Sequence, residues 1–167
     1  MRRGARAIKR RIRVATIGAL IVAGVTAGAW SGITPAGAQA EPIQLHAPAG
    51  AGVILDFDHD GRIDTGDRAT GRTPLEDPTT GERVGTALFE CVATTRIVIE
   101  QRKGTWLCTY VVELSEGHIT LQGKDPAGVG THVFAVTGGT GLYRSATGEA
   151  TEVDTEDGED LTIHLEP

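Results

Sequence analysis

The chain has 167 residues, 40% of them apolar but only 4% aromatic, with 23 glycines. That composition suits one glycine-punctuated domain and excludes collagen and coiled coil. The formal net charge of −6 is unevenly divided: residues 1–40 hold seven of the sixteen bases and no acid, leaving nine bases against twenty-two acids, a net −13, in residues 41–167. A phosphate backbone would be repelled by such a surface, which excludes nucleic acid as a partner.

Residues 1–40 have the layout of a secretory signal peptide: a basic start, an uncharged stretch at 14–30, and Ala38-Gln39-Ala40 with small residues where a signal peptidase reads. Cleavage there starts the mature chain at Glu41 and makes the protein secreted, with no membrane partner. The rival reading is an uncleaved anchor, because seventeen uncharged residues approach spanning length, although alanine, glycine and threonine dilute them.

Residues 41–52 contain Pro42, Pro48 and a run of small residues without sustained period, and read as a linker or flexible arm. The folded domain is expected at 53–167. Short runs rich in valine, isoleucine, threonine and aromatics fall at 53–57, 67–75, 82–95 (running on toward 100), 105–114, 118–123, 131–137, 147–154 and 161–165. Glycine-containing turns separate them, and no helical period is sustained, so the fold class is all-β. About eight strands joined by short turns make an antiparallel meander, which closure into a barrel would free of exposed edges.

Asp56, Asp58, Asp60, Arg62, Asp64 and Asp67 stand at positions 1, 3, 5, 7, 9 and 12 of a calcium-loop pattern, with Gly61 at the sharp turn and the Arg62 carbonyl as the position-7 ligand. Against calcium stand the aspartate at position 12, where a bidentate glutamate is usual, and flanks that read as strands. The alternative is a solvated acidic turn.

Export makes a disulfide the default for Cys91 and Cys108, the two cysteines of the chain, with buried free thiols as the rival. A simple hairpin pairing them must turn near Ile99 and Glu100, whereas the turn signal is at Lys103. A bulge, a diagonal bridge, or a segment 97–101 outside the ladder would each reconcile the two. Both faces of 105–114 and of the preceding strand are partly apolar, which suggests self-association as readily as scattered exposed aliphatics.

The segment Phe134-Ala-Val-Thr-Gly-Gly-Thr-Gly-Leu-Tyr-Arg-Ser-Ala-Thr-Gly-Glu149 resembles the signature of the allene oxide cyclase and dirigent-like barrel superfamily. Gly66-Asp67, the stretch from Gly81 to Cys91, and the stretch from Cys108 to Gly123 are similar to its bacterial secreted members, so the resemblance spans Asp56 to Glu152. It implies an eight-stranded antiparallel barrel with a central cavity, dimeric or trimeric in the plant relatives. There the cavity controls the stereochemistry of ring closure or coupling of a reactive hydrophobic molecule. The cyclases use a barrel glutamate. Glu90, Glu100 and Glu113 lie on candidate strands here, but none matches that position by motif, and the catalytic residues stay unknown.

The expected function is a secreted barrel that binds a small apolar or aromatic molecule, cyclase/isomerase-like or dirigent-like, with Phe89, Trp106, Tyr110 and Phe134 as lining candidates. No cofactor is required on this reading, and calcium is the candidate ion. The competing expectation is a non-enzymatic extracellular structural or adhesion module, because no catalytic constellation is recognisable.

Overall fold

The computed structural model describes residues 41–166 apart from 129. The leader read at 1–40 lies outside the described residues. Nine strands follow in chain order: β1 Ile43–Pro48, β2 Ala51–Leu55, β3 Arg68–Glu76, β4 Arg83–Ala93, β5 Thr105–Leu114, β6 Gly117–Pro126, β7 Thr131–Gly139, β8 Thr147–Asp154 and β9 Gly158–Glu166. From β3 to β9 each strand pairs antiparallel with the next, β9 pairs with β1, and β1 meets β3 at His46 and Glu76. β2 continues alongside the first half of β3, from Ala51 opposite Arg72 to Leu55 opposite Arg68. β1 and β2 therefore act as one bent strand, and the result is a closed eight-stranded antiparallel barrel.

Residues 41–52 are thus not a linker, as the sequence had suggested. β1 runs six residues along β9, and its alternate side chains Leu45 and Ala47 are buried, 4% and 7% exposed. The prolines on either side of so short a strand hide that period-two pattern. Pro48 is tolerated because it ends the strand, where the chain bends toward β2.

Alternation decides what lies inside. The inward sets Val112 on β5, Ile119 and Leu121 on β6, Phe134 and Val136 on β7, Ala150 on β8 and Leu161 and Ile163 on β9 form one continuous core with Leu75. Their outward neighbours include Leu88, Leu107 and Val133, which stay exposed.

Cys91 lies directly opposite Cys108 in the β4–β5 ladder, and the two form a disulfide. The three-residue mismatch with the turn signal is resolved by residues 94–104. They leave the ladder, make a 3-10 turn at Ile99–Gln101, and place Arg102 in the left-handed region at φ 51°. Ile97 is buried there and its amide donates to the Ile63 carbonyl at 2.8 Å, which ties this excursion to the acidic loop between β2 and β3.

The glycine motif builds the β7–β8 connection. The register between β6 and β7 slips by one residue at Thr137, and Gly138 and Gly141 take φ of 148° and 61°. A Cβ on Gly141 would sit 2.0 Å from the Glu116 carbonyl oxygen, so this turn packs backbone on backbone. Tyr143 folds back against the core while Leu142 is 80% exposed.

Candidate functional site

The core does not fill the barrel. A cavity of about 260 Å³ remains, just below the ~300–1,000 Å³ common for small-molecule pockets. Its apolar wall comes from β3, β4 and β5 and includes Leu75, Ala87, Phe89, Cys91, Trp106, Tyr110 and Val112. Its acidic lining is Asp125 from β6, Glu152 from β8 and Glu159 from β9.

These acids share one end of the barrel because of register. Asp125 pairs with Trp106, Glu152 with His132 and Asp154 with Glu159. Each continues the inward parity of its strand: Ile119, Leu121, Asp125; Phe134, His132; Ala150, Glu152; Ile163, Leu161, Glu159. The apolar core thus passes, toward this end, into a layer of four carboxyls around one imidazole.

His132 is only 6% exposed and lies between two of them, its Nδ1 2.7 Å from Asp125 Oδ1 and its Nε2 3.5 Å from Asp154 Oδ2. The shorter contact is close in distance but lacks hydrogen-bond geometry at Nδ1. Glu152, 8% exposed, has no such base. Burial, then the charges of Glu159, Asp125 and Asp154, push its carboxyl up to about 8. Burial also raises Asp125, against the opposing pull of His132, and raises Glu159, reinforced by Asp154 and Asp125. Tyr110 is raised as well, by burial first and by Glu152 second.

Of the aromatics expected at the lining, Phe89, Trp106 and Tyr110 border the cavity. Phe134 does not. It is 1% exposed, stands edge-on behind Tyr110 with centroids 5.1 Å apart, and lies over Gly123, where a Cβ would meet its ring at 2.7 Å. Glu90, Glu100 and Glu113 are exposed, Glu90 paired with Arg68, and none borders the cavity. Of the acids that do, Asp125 and Glu159 fall in the gaps between the strands expected from sequence, and Glu152 lies inside the one expected at 147–154. Strand parity was the signal that could have found them.

The acidic loop brings Asp56, Asp58 and Asp60 together, with one oxygen of each within 4.8 Å of the others. Asp64 and Asp67 are engaged elsewhere, and the Arg62 side chain turns onto Asp60. Asp67 accepts the amides of Phe57 and Asp64 at 3.0 and 2.8 Å, Asp64 pairs with Arg96 at 3.7 Å, and the Arg62 guanidinium pairs with Asp60 at 3.7 Å. Asp56 also accepts amides, from His59 at 2.7 Å and Gly61 at 2.9 Å, and these hold its carboxyl below the usual range, Gly61 foremost.

No family model matches the chain, and no curated protein does. Solved structures do match. A pyocyanin demethylase is similar with a TM-score of 0.63 at 24% identity, over 75% of this chain and 99% of its own. A pterocarpan synthase dirigent protein follows at TM-score 0.53 and 17% identity, over 74% and 81%. An exo-specific intermolecular Diels-Alderase matches at 0.55 and 14%, over 75% and 98%. At these identities the likeness is one of fold: the chain shares its closed antiparallel barrel with these structures, the architecture that the resemblance of its glycine motif implies.

Proposed function

We propose that this protein is a secreted barrel that binds a small apolar or aromatic molecule in its cavity and steers a ring closure, coupling or related rearrangement of it. The observation that carries this reading is the cavity itself, lined by the aromatic rings of Phe89, Trp106 and Tyr110 and the carboxyls of Asp125, Glu152 and Glu159. A shaped apolar wall holds a substrate near its reactive conformation, and polar groups fixed in a dry site stabilise charge as it develops. Glu152, whose carboxyl burial pushes up to about 8, is the group able to exchange a proton as charge enters or develops in the cavity. The activities of the structural neighbours, a demethylase, a dirigent protein and a Diels-Alderase, support a small-molecule reading.

The test is native mass spectrometry of protein recovered from its own culture medium. A co-purifying organic molecule, released on denaturation, is the expected result. A bare chain that also fails to bind 1-methylnaphthalene would overturn the reading in favour of the structural or adhesion module. The same spectra report assembly. The exposed Leu88, Leu107 and Val133 favour a homo-oligomer, dimer or trimer.

Calcium binding by the acidic loop is a second, separate reading, supported by the convergence of Asp56, Asp58 and Asp60.

A further inference from the structure

The aromatic and acidic linings of the cavity have one electrostatic preference in common. Aromatic faces carry the negative part of the ring quadrupole and attract cations, and carboxylates do so by charge. Among the residues that border the cavity there is no lysine or arginine. The one base in the layer, His132, is placed between Asp125 and Asp154. Glu152 and Glu159 face the cavity without a base of their own.

A barrel built for stability alone would not place them there. Burying a carboxyl without a partner is costly, and elsewhere the same inward parity is filled by leucine, isoleucine and alanine. Glu152 is more than nine-tenths buried, and no hydrogen bond from the described residues contributes to its titration. Such a group is neutralised either by a proton or by a positively charged ligand.

Resting on the small-molecule reading above, we propose that the cavity selects a cation: a compact aromatic molecule bearing a fixed positive charge or a protonated ring nitrogen. The ring lies against Phe89, Trp106 and Tyr110, and the charge faces Glu152 and Glu159. Entry of the cation into the protonated cavity releases a carboxyl proton to solvent, so the site exchanges one positive charge for another and stays neutral. The groups that face Glu152 are Tyr110 on β5, Asp125 on β6, His132 on β7, Asp154 on its own strand and Glu159 on β9; three of these are carboxylic acids. Outside the cavity, the net −13 of residues 41–167 draws cations and repels anions.

The test uses the full chain and three probes of one ring size: N-methylquinolinium, neutral 1-methylnaphthalene and anionic 1-naphthoate, titrated calorimetrically at pH 7 in buffers of different ionisation heat. The quinolinium should bind roughly tenfold or more tighter than 1-methylnaphthalene, with 1-naphthoate weakest. Its heat should depend on buffer in the sense of proton release, and its affinity should rise between pH 6 and pH 9 as the competing proton leaves. In the double variant Glu152→Gln, Glu159→Gln the preference for cation over neutral probe should fall below about threefold, a ratio read within one folded protein. Equal or tighter binding of 1-methylnaphthalene by the parent chain would overturn the charge selection while leaving the small-molecule reading intact. So would an undiminished preference in the double variant. Failure of all three probes to bind would overturn both.

Discussion

Glu152 stands directly across the β7–β8 ladder from His132, with both side chains inside the barrel, yet the imidazole is held between Asp125 and Asp154. The carboxyl is left to its own desolvation, and that has a consequence for stability. Folded, Glu152 titrates at about 8; unfolded, at its ordinary 4.5. Between these values the unfolded chain has released a proton that the folded chain still holds, so raising the pH favours unfolding. The stability from this group is complete below about pH 4.5, declines through neutrality and is lost above about pH 8.

The parent protein should therefore melt lower at pH 8 than at pH 5, and Glu152→Gln should flatten the profile and raise the melting temperature at pH 8. The linked difference is on the order of 4 kcal/mol at most. His46, raised chiefly by its hydrogen bond to Asp160, adds a change of the same sign, so the comparison of parent with variant isolates Glu152. Parallel profiles for the two proteins would show that the carboxyl is not desolvated as described.

The bond between Cys91 and Cys108 spans 17 positions of sequence and joins two buried residues, one of which borders the cavity. In the chain-entropy account a loop of this size contributes about 3 kcal/mol. Cys91→Ser should lower the melting temperature of the oxidised protein by on the order of 10 °C. Thiol titration of the denatured, unreduced chain should find none, and two thiols would refute the pairing.

Gly141 and Gly61 both adopt positive φ, 61° and 77°, but in different surroundings. An added Cβ meets a carbonyl oxygen at 2.0 Å at Gly141 and nothing within 4 Å at Gly61. Gly61→Ala should cost about 1 kcal/mol, the left-handed strain alone. Gly141→Ala should cost roughly 3 kcal/mol or more, because backbone must move as well. Chemical denaturation checks the order, and equal costs would mean that the turn does not pack as tightly as its geometry indicates.

For the acidic loop, thermal unfolding in chelator and in millimolar calcium should differ by several degrees, with calcium stabilising by linkage to the folded state. Asp56→Asn with Asp60→Asn removes two charges; the amide oxygen left at position 60 still accepts from Arg62, and the one left at position 56 accepts from one of His59 and Gly61. This variant should lose the calcium response while remaining folded, and magnesium should substitute poorly in the parent. Superimposable curves with and without calcium would leave the loop an acidic turn.

Most of the barrel was legible one strand at a time. Period-two alternation, turn glycines and the two cysteines act over a few residues, and they located eight of the observed strands, β2 to β9, and the disulfide. The strand β1 was not legible, because two prolines mask its parity and its burial depends on β9 more than a hundred residues later. The acidic end of the barrel was hidden for a related reason.

By itself the sequence determined which side chains share a face of each strand, where the chain reverses, and that Cys91 and Cys108 could pair. Which face is inside, and which strand ends meet, were decided only by closure of the sheet. Asp125, His132, Glu152 and Glu159 look like isolated polar residues beside turns along the chain. Closure and register carry all four to one end of the barrel, where burial shifts the three carboxyls and couples them. Desolvation and mutual charge depend on distance in space, and that distance exists only once β1 has closed the barrel against β3 and β9.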